Sequence, residues 1–293
     1  MRKFLVLLVT VVTLGASSCH DGANQKLVIG SKFFTEQVVL AELLAQHVQA
    51  CAGVPVDQKS NLGGTLLVQQ AMLSGKLDLY VEYTGTALLA VLGDQATGDS
   101  KTVLERVREE YSRRFNFVVT EPLGFENTFA MVVRKEDAQI HHLATYSDIA
   151  PLAPQWRPGV GYEFLERPDG YKGWTQRYGL RFGKTPSVLD LGLLYRALVE
   201  KNVDIVAGNS TDGLIEYLGL VALEDNLHYF PPYDAVPIVR ADALQRVPRL
   251  RGCLADLAGK VSAADMRHMN MEVDAQQRDV TTVVREFRAT KNL

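Results

Sequence analysis

The sequence predicts an α/β protein made of two similar lobes. Short apolar strands alternate with stretches of helical periodicity along the chain, a pattern typical of α/β sheets. The second half repeats the first, because each half has a helix, an apolar-Asp-apolar strand (77–81 and 203–207) and a Thr/Gly turn before the next helix. The 293 residues also suit two lobes, since one domain typically takes about 100–200 residues.

The elements of the first half follow from hydrophobic periodicity and turn residues. Strands are predicted at 26–31, from 53 onward and at 77–83, and helices at 39–48, 66–73 and from 84 onward. Gly75 suits the position after the C-cap of the second of these helices, where glycine accepts a left-handed backbone. This order of elements predicts a sheet with helices packed against it.

The second half contains a helix at 191–199, a strand at 203–207 and a helix at 214–218. Pro and Gly among extended residues at 122–127 and 230–233 are typical of crossings between lobes. The tail from 241 is helical and should pack on the first lobe. We therefore expect the following division of the chain: residues 26–124 and 232–293 in lobe 1, and residues 125–231 in lobe 2.

Residues 1–18 have the features of an export signal peptide. Arg2 and Lys3 precede an apolar run that is too short to span a bilayer, and small residues follow it. Cys19, directly after those residues, resembles a lipoprotein cleavage site at which the cysteine becomes acylated. We expect an exported protein, either periplasmic or anchored to the membrane through a lipidated Cys19.

Cys51 and Cys253 are the other two cysteines. Disulfides persist in the oxidising compartment that an export signal implies. The two residues form either a pair of buried thiols or a bridge that ties the C-terminal region to the first helix. Neither has the CxxC or Cys/His spacing of a zinc site, and we expect no metal and no cofactor.

Composition and motifs exclude several functions. The 31 Lys and Arg against 34 Asp and Glu give a net charge of −3, with no basic excess for a nucleic-acid partner. Residues 208–212 resemble a nucleophile elbow, but Asp212 stands where the second glycine belongs. An exported two-lobed α/β chain without a catalytic motif is more often a binding protein than an enzyme. The enzyme alternative would use Asp212 or Glu82 as its base.

Seven segments in order resemble the osmoprotectant-binding proteins of ABC importers, the receptors for glycine betaine, choline, carnitine and proline betaine. The segments are 30–37 (GSKFFTEQ), 62–65 (LGGT), 78–86 (DLYVEYTGT), 123–129 (LGFENTF), 164–170 (FLERPDG), 210–213 (STDG) and 230–233 (FPPY). The resemblance covers nearly the whole mature chain. It implies a two-lobed clamshell of the periplasmic-binding-protein-like type II class, each lobe being a mixed sheet flanked by helices.

The resemblance also implies the ligand-binding residues. An aromatic cage for a quaternary ammonium and polar donors for a carboxylate make up the family's site. Carried over by position, the cage is Tyr83, Phe129, Asn209 and Tyr233, the donors are Lys32, Thr86 and Arg167, and Asn127 is a polar residue that faces the cage. Aromatic faces suit a methylated ammonium, because it has no N–H to donate.

Two cage positions differ from the tyrosines that are usual in the family, so the identity of the ligand stays open. Phe129 keeps an aromatic face without the hydroxyl, whereas Asn209 has no aromatic face. A larger zwitterion or amino-acid-derived ligand, such as carnitine or a histidine betaine, is therefore an alternative to glycine betaine or choline. We expect a monomer that delivers its ligand to ABC permease subunits in the inner membrane. A sensory binding domain of the same fold is the other alternative.

Overall fold

The computed structural model describes residues 26–95 and 98–293. The predicted signal peptide at 1–18 and Cys19 lie outside these residues. Within the described part of the chain there are two five-stranded sheets, each flanked by helices. This confirms the predicted α/β fold with two mixed sheets. No helix in the described ranges is both long and apolar enough to cross a bilayer.

The first sheet forms the core of lobe 1. Its strands are β1 (Leu27–Gly30), β2 (Val56–Lys59), β3 (Leu79–Tyr83), β4 (Phe117–Val119) and β10 (Ala235–Arg240). In the order β2-β1-β3-β10-β4, the first three strands are parallel, and β10 is antiparallel to both of its neighbours. All five residues of β3 are buried, as expected for a central strand covered by helices on both faces.

The second sheet forms the core of lobe 2 and repeats this topology. Its strands are β5 (Phe129–Arg134), β6 (Pro158–Val160), β7 (Ser187–Val188), β8 (Ile205–Asn209) and β9 (Leu220–Ala222). In the order β7-β6-β8-β5-β9, three parallel strands are again followed by a strand antiparallel to both neighbours. The two strands in which the sequence echo was found, β3 and β8, occupy the same place in their sheets.

Helices cover both sheets. In lobe 1 they are α1 (Thr35–Ala52), α2 (Thr65–Leu73), α3 (Thr84–Thr86, continuing as a π turn to Val91), α4 (Ser100–Phe115), α10 (Ala241–Arg246), α11 (Leu250–Asp256), α12 (Ala263–Asp274) and α13 (Val280–Lys291). In lobe 2 they are α5 (Lys135–Ile140), a 3₁₀ turn (Tyr146–Ile149), α6 (Tyr162–Glu166), α7 (Tyr171–Arg177), α8 (Leu191–Val199) and α9 (Leu214–Tyr217). The C-terminal helices α11, α12 and α13 pack on α1.

Two extended segments connect the sheets. The chain leaves the first sheet after β4 and enters the second at β5, and it returns between β9 and β10. The segments lie side by side: Asn127 donates its backbone N–H to the carbonyl of Tyr233 at 3.1 Å, and Ala235 donates to Phe125 at 3.0 Å. The two connections run antiparallel to each other, and a pair of adjacent connections of this kind is typical of a hinge between two lobes.

A disulfide joins Cys51 near the end of α1 to Cys253 in α11. The structure thus has the bridge rather than two free thiols. The bonded residues are 202 positions apart, so all of lobe 2 lies inside the loop that the disulfide closes. A cross-link stabilises a protein chiefly by reducing the entropy of the unfolded chain, and the effect grows with loop length.

Removing this bridge should lower stability by about 2–5 kcal/mol. The double variant Cys51→Ala with Cys253→Ala, compared with wild type by denaturant unfolding, measures the loss. A reductant should destabilise the wild type by a similar amount and leave the variant unchanged. Equal wild-type midpoints with and without reductant would contradict the expectation.

Candidate functional site in the cleft between the lobes

A cavity of about 340 Å³ lies between the lobes, a volume within the range of small-molecule sites. It opens where β1, β3, β6 and β8 end at their carboxyl termini, which is where ligands bind in open α/β sheets. All eight residues that the sequence singled out for ligand binding line it: Lys32, Tyr83, Thr86, Asn127, Phe129, Arg167, Asn209 and Tyr233. The two sheets thus gather at one place residues from separate elements that range along the chain from Lys32 to Tyr233.

Strand ends and the crossings position these side chains. Tyr83 is the last residue of β3, and Thr86 closes the short helix that follows. Phe129 begins β5 and pairs in register with Asn209 at the end of β8. Asn127 and Tyr233 belong to the two crossing segments. The cavity is therefore built from both lobes and from the segments between them.

Aromatic rings form one part of the wall. The Phe129 ring meets Phe164 edge-on at 4.8 Å and Tyr233 at 6.2 Å between centroids. The Tyr83 ring stacks on Phe34 at 6.5 Å. Phe34 and Phe164 also line the cavity, and sequence reasoning missed both, although each lies within a segment that carries the family resemblance.

Tyr233 is a core residue. Although it lies in a crossing segment, it is only 1% exposed. Its ring lies against Gly85, where an added Cβ would come within 2.7 Å of the ring. Glycine at 85 is what lets this ring reach the cavity wall.

Arg167 connects the lobes. Its Nε donates to Asp169 at 2.8 Å, and its Nη2 donates both to Asp169 and, at 3.0 Å, to Thr86 Oγ1 in lobe 1. Tyr233 also donates its hydroxyl to Asp169, at 2.5 Å. Asp169 was not predicted; it fixes the guanidinium plane, whose Cζ lies 5.1 Å from the Phe129 centroid.

Lys32 is paired inside lobe 1. Its Nζ lies 2.5 Å from Glu82 Oε1, and both side chains are buried. The same Nζ is 5.2 Å from the centroid of the Tyr83 ring. Glu82 also accepts the backbone N–H of Tyr83 at 2.8 Å. The ammonium has three N–H groups, so the pair with Glu82 leaves donors for the cavity.

Glu36 on α1 accepts hydrogen bonds from both lobes. Its carboxylate accepts from the Tyr83 hydroxyl at 2.5 Å, Asn127 Nδ2 at 2.8 Å, Thr211 Oγ1 at 2.5 Å and Asn270 Nδ2 at 3.1 Å. Burial raises the pKa of Glu36, and these hydrogen bonds oppose that rise. Sequence reasoning missed this residue, although it stands in the segment 30–37.

Asp212 follows β8 and lies beside Glu36. It accepts the Tyr195 hydroxyl at 2.5 Å and the backbone N–H of Asn209 at 2.9 Å. Burial is the main cause that raises the pKa of Asp212 to about 7, and the nearby charge of Glu36 contributes. Asp212 thus holds the turn after β8 that presents Asn209 to the cavity.

Comparison with known proteins agrees with this architecture. Residues 25–290 match the family described as the substrate-binding domain of ABC-type glycine betaine transport systems. The chain is 33% identical to the carnitine transport binding protein OpuCC of Listeria monocytogenes, over 99% of this chain and 97% of that protein. It is 29% identical to the ergothioneine transport permease/ergothioneine binding protein EgtU of Helicobacter pylori, over 90% of this chain and 47% of that protein.

A solved structure shows the same likeness. The crystal structure of a glycine betaine/carnitine/choline ABC transporter protein matches with a TM-score of 0.76 at 29% identity, over 91% of this chain and 98% of that chain. The fold and the cleft define a two-lobed solute-binding protein of the type II class. The chain belongs to the family of substrate-binding proteins of ABC-type glycine betaine transport systems.

Family membership confirms the resemblance found in the sequence. Members are extracytoplasmic proteins that bind small betaine ligands and work with membrane permease subunits. They are solute-binding proteins and not enzymes, which confirms the expectation that the chain is a binding protein and disfavours Asp212 or Glu82 as a catalytic base.

The raised pKa of Asp212 predicts how stability depends on pH. An acid with a higher pKa in the folded state binds its proton more tightly there, so its contribution to stability is full below about pH 4 and is lost as pH rises through about 7. Asp212→Asn should remove this part of the loss. The unfolding temperatures of wild type and variant at pH 5 and pH 8 measure it; an unchanged pH slope in the variant contradicts the assignment.

Proposed function

We propose that this chain binds a quaternary-ammonium zwitterion, such as glycine betaine, carnitine or a related betaine, or the cation choline, and delivers it to an ABC permease. The observation that carries the proposal is one cavity lined both by aromatic rings and by a guanidinium that is only 10% exposed. Tyr83, Phe129 and Tyr233 provide the rings, and Arg167 provides the guanidinium. These two kinds of side chain match the two charges of a betaine.

The three aromatic rings suit the ammonium end of the ligand. A methylated ammonium offers no N–H group, so it cannot satisfy hydrogen-bond acceptors and is attracted instead to the negative faces of rings. Each desolvated ring contributes roughly 0.5–2 kcal/mol. The rings of Tyr83, Phe129 and Tyr233 are held by packing and by hydroxyl contacts to Glu36 and Asp169, so little side-chain entropy is lost on binding.

The polar side chains of the cavity suit the carboxylate end of the ligand. Arg167, Thr86 and Lys32 are the proposed donors, and each charge-assisted hydrogen bond contributes about 1.5–3 kcal/mol. The two cationic donors already have carboxylate partners: Arg167 pairs with Asp169, and Lys32 pairs with Glu82. Their remaining N–H groups are therefore oriented before the ligand arrives, which is favourable for affinity.

A second candidate ligand is a histidine betaine. Asn209 supports it, because this amide stands where an aromatic ring would otherwise close the cage and it can hydrogen-bond to a ring nitrogen. The relative EgtU, which carries ergothioneine in its name, is consistent with such a ligand in the family. A calorimetric comparison of glycine betaine, carnitine, choline and histidine betaine decides between these ligands.

The proposed mechanism is hinge closure. Residues 26–124 with 232–293 and residues 125–231 act as two lobes that rotate about the paired crossings. Three contacts support a closed state: Arg167 to Thr86, Thr211 to Glu36, and the backbone N–H of Thr65 to Glu163 Oε1 at 2.6 Å. The last places a lobe 2 carboxylate at the start of α2 in lobe 1, and Gly64 makes room for it.

The proposed context is an exported monomer with no nucleic-acid partner. Its partners are the small ligand and the permease subunits in the inner membrane, and acylation of Cys19 would tether it near them. The family favours this transport role over a sensory one.

Arg167→Ala should show which part of the affinity comes from the carboxylate end of the ligand. Glycine betaine affinity should fall at least tenfold, because a charge-assisted hydrogen bond of about 1.5–3 kcal/mol is lost. Choline has no carboxylate, so it should lose only the contribution of the Arg167–Thr86 closure contact, and its affinity should fall by a clearly smaller factor. Calorimetry measures both, and Arg181→Ala, an exposed arginine of the same lobe, is the matched control. Equal losses for the two ligands would contradict the placement of the carboxylate.

Glu163→Gln should weaken closure. The amide oxygen still accepts from Thr65 but carries no charge for the start of α2. Glycine betaine affinity should fall about three- to tenfold, somewhat less than for complete loss of a charged hydrogen bond. Glu166→Gln, in the same helix and exposed, is the control that should bind as wild type. If glycine betaine binds Glu163→Gln as tightly as wild type, the contact between Glu163 and Thr65 does not contribute to closure.

A further inference from the structure

A second cavity, of about 360 Å³, adjoins the ligand cavity. Phe33, Phe34, Asp190, Leu191 and Asn209 line both cavities. We call the second cavity the acidic chamber, because its lining adds three carboxylates to Asp190: Glu36, Asp212 and Asp274. Among the described residues no Lys, Arg or His side chain lines it.

The acidic chamber offers acceptors that the protein leaves unused. Asn270 is 1% exposed and lines the chamber. Its Nδ2 donates to Glu36 and to the carbonyl of Thr211, whereas its Oδ1 has no hydrogen-bond partner among the described residues. Asp274 accepts the Thr35 hydroxyl at 2.5 Å, and no Lys or Arg of the described residues forms an ion pair with it. Buried acceptors without donors are costly, so a donor-rich cation would stabilise them.

Asn209 lies where the two cavities adjoin, because it lines both of them. Its register position opposite Phe129 puts an amide where a large ring would narrow the opening. A ligand held in the first cavity can therefore extend a side arm past Asn209. The stem of the arm would pass Phe34 and Leu191, and its end would meet carboxylates and an amide oxygen.

We propose that the acidic chamber is a side-arm subsite that takes a protonated, N–H-donating group of the ligand. This rests on the proposed function, since the betaine head must occupy the first cavity. The chemical class is the betaine of an α-amino acid with an ammonium or guanidinium side chain. Its quaternary ammonium and carboxylate bind as a simple betaine does, and the side chain reaches Asp274 and Asn270. Raised pKa values of Glu36 and Asp274 through burial fit carboxylates that lack a cation.

Calorimetric titration with three ligands tests this subsite: glycine betaine, the Nα-trimethyl betaine of lysine, and that of norleucine, which has the same arm without the ammonium. Lysine betaine should bind the wild type at least tenfold more tightly than norleucine betaine. Asp274→Asn should reduce that preference to threefold or less without changing glycine betaine affinity. Glu216 is exposed and lies outside both cavities, so the control variant Glu216→Gln should keep the preference for lysine betaine.

Asn209→Tyr is a second variant, in case Asp274→Asn fails to fold. Its ring should fill the space that Asn209 leaves between the cavities and abolish the preference for lysine betaine over norleucine betaine, a ratio that does not depend on the affinity for the head group. Equal wild-type affinity for the lysine and norleucine betaines, with glycine betaine bound, overturns the subsite and leaves the proposed function standing. Failure of all three betaines to bind overturns both.

Discussion

The shape of the cleft depends on one buried carboxylate, Glu36. It accepts hydrogen bonds from Tyr83 at the end of a lobe 1 strand, from Asn127 in a crossing and from Thr211 in lobe 2. A buried carboxylate without a cation is unfavourable unless hydrogen bonds satisfy it. Two of those bonds, from Asn127 and Thr211, join lobe 1 to the crossing and to lobe 2, so the carboxylate stabilises the arrangement of the lobes that the structure has.

Local patterns were sufficient to predict much of the fold. The buried strand β3 and the helix ending before Gly75, whose φ is +71°, follow from hydrophobic periodicity and from turn chemistry. The other six strands, β4, β5, β6, β7, β9 and β10, were not predicted. Of these, β7 and β9 have only two or three residues, which carry no periodicity of their own. They are strands because a neighbouring strand supplies the hydrogen bonds, which is a property of the assembled sheet.

The site was predicted less completely, and for a physical reason. Positions that line the cavity stand in recognisable segments, and the family resemblance supplied them. Asp169 and Glu36 act through partners: Asp169 through Arg167 and Tyr233, and Glu36 through Thr211, which is 175 positions away in the chain. A sequence reveals which residue types are available, but not which distant hydroxyl or amide the fold will bring to a carboxylate.

The disulfide between α1 and α11 gives the molecule an unusual connectivity. Every peptide bond of lobe 2 lies on the ring closed by Cys51 and Cys253. Cutting the backbone once within that lobe would thus open the ring without producing two separate fragments. An exported protein exposed to proteases would stay in one piece after such a nick, with its C-terminal helices still fastened to α1.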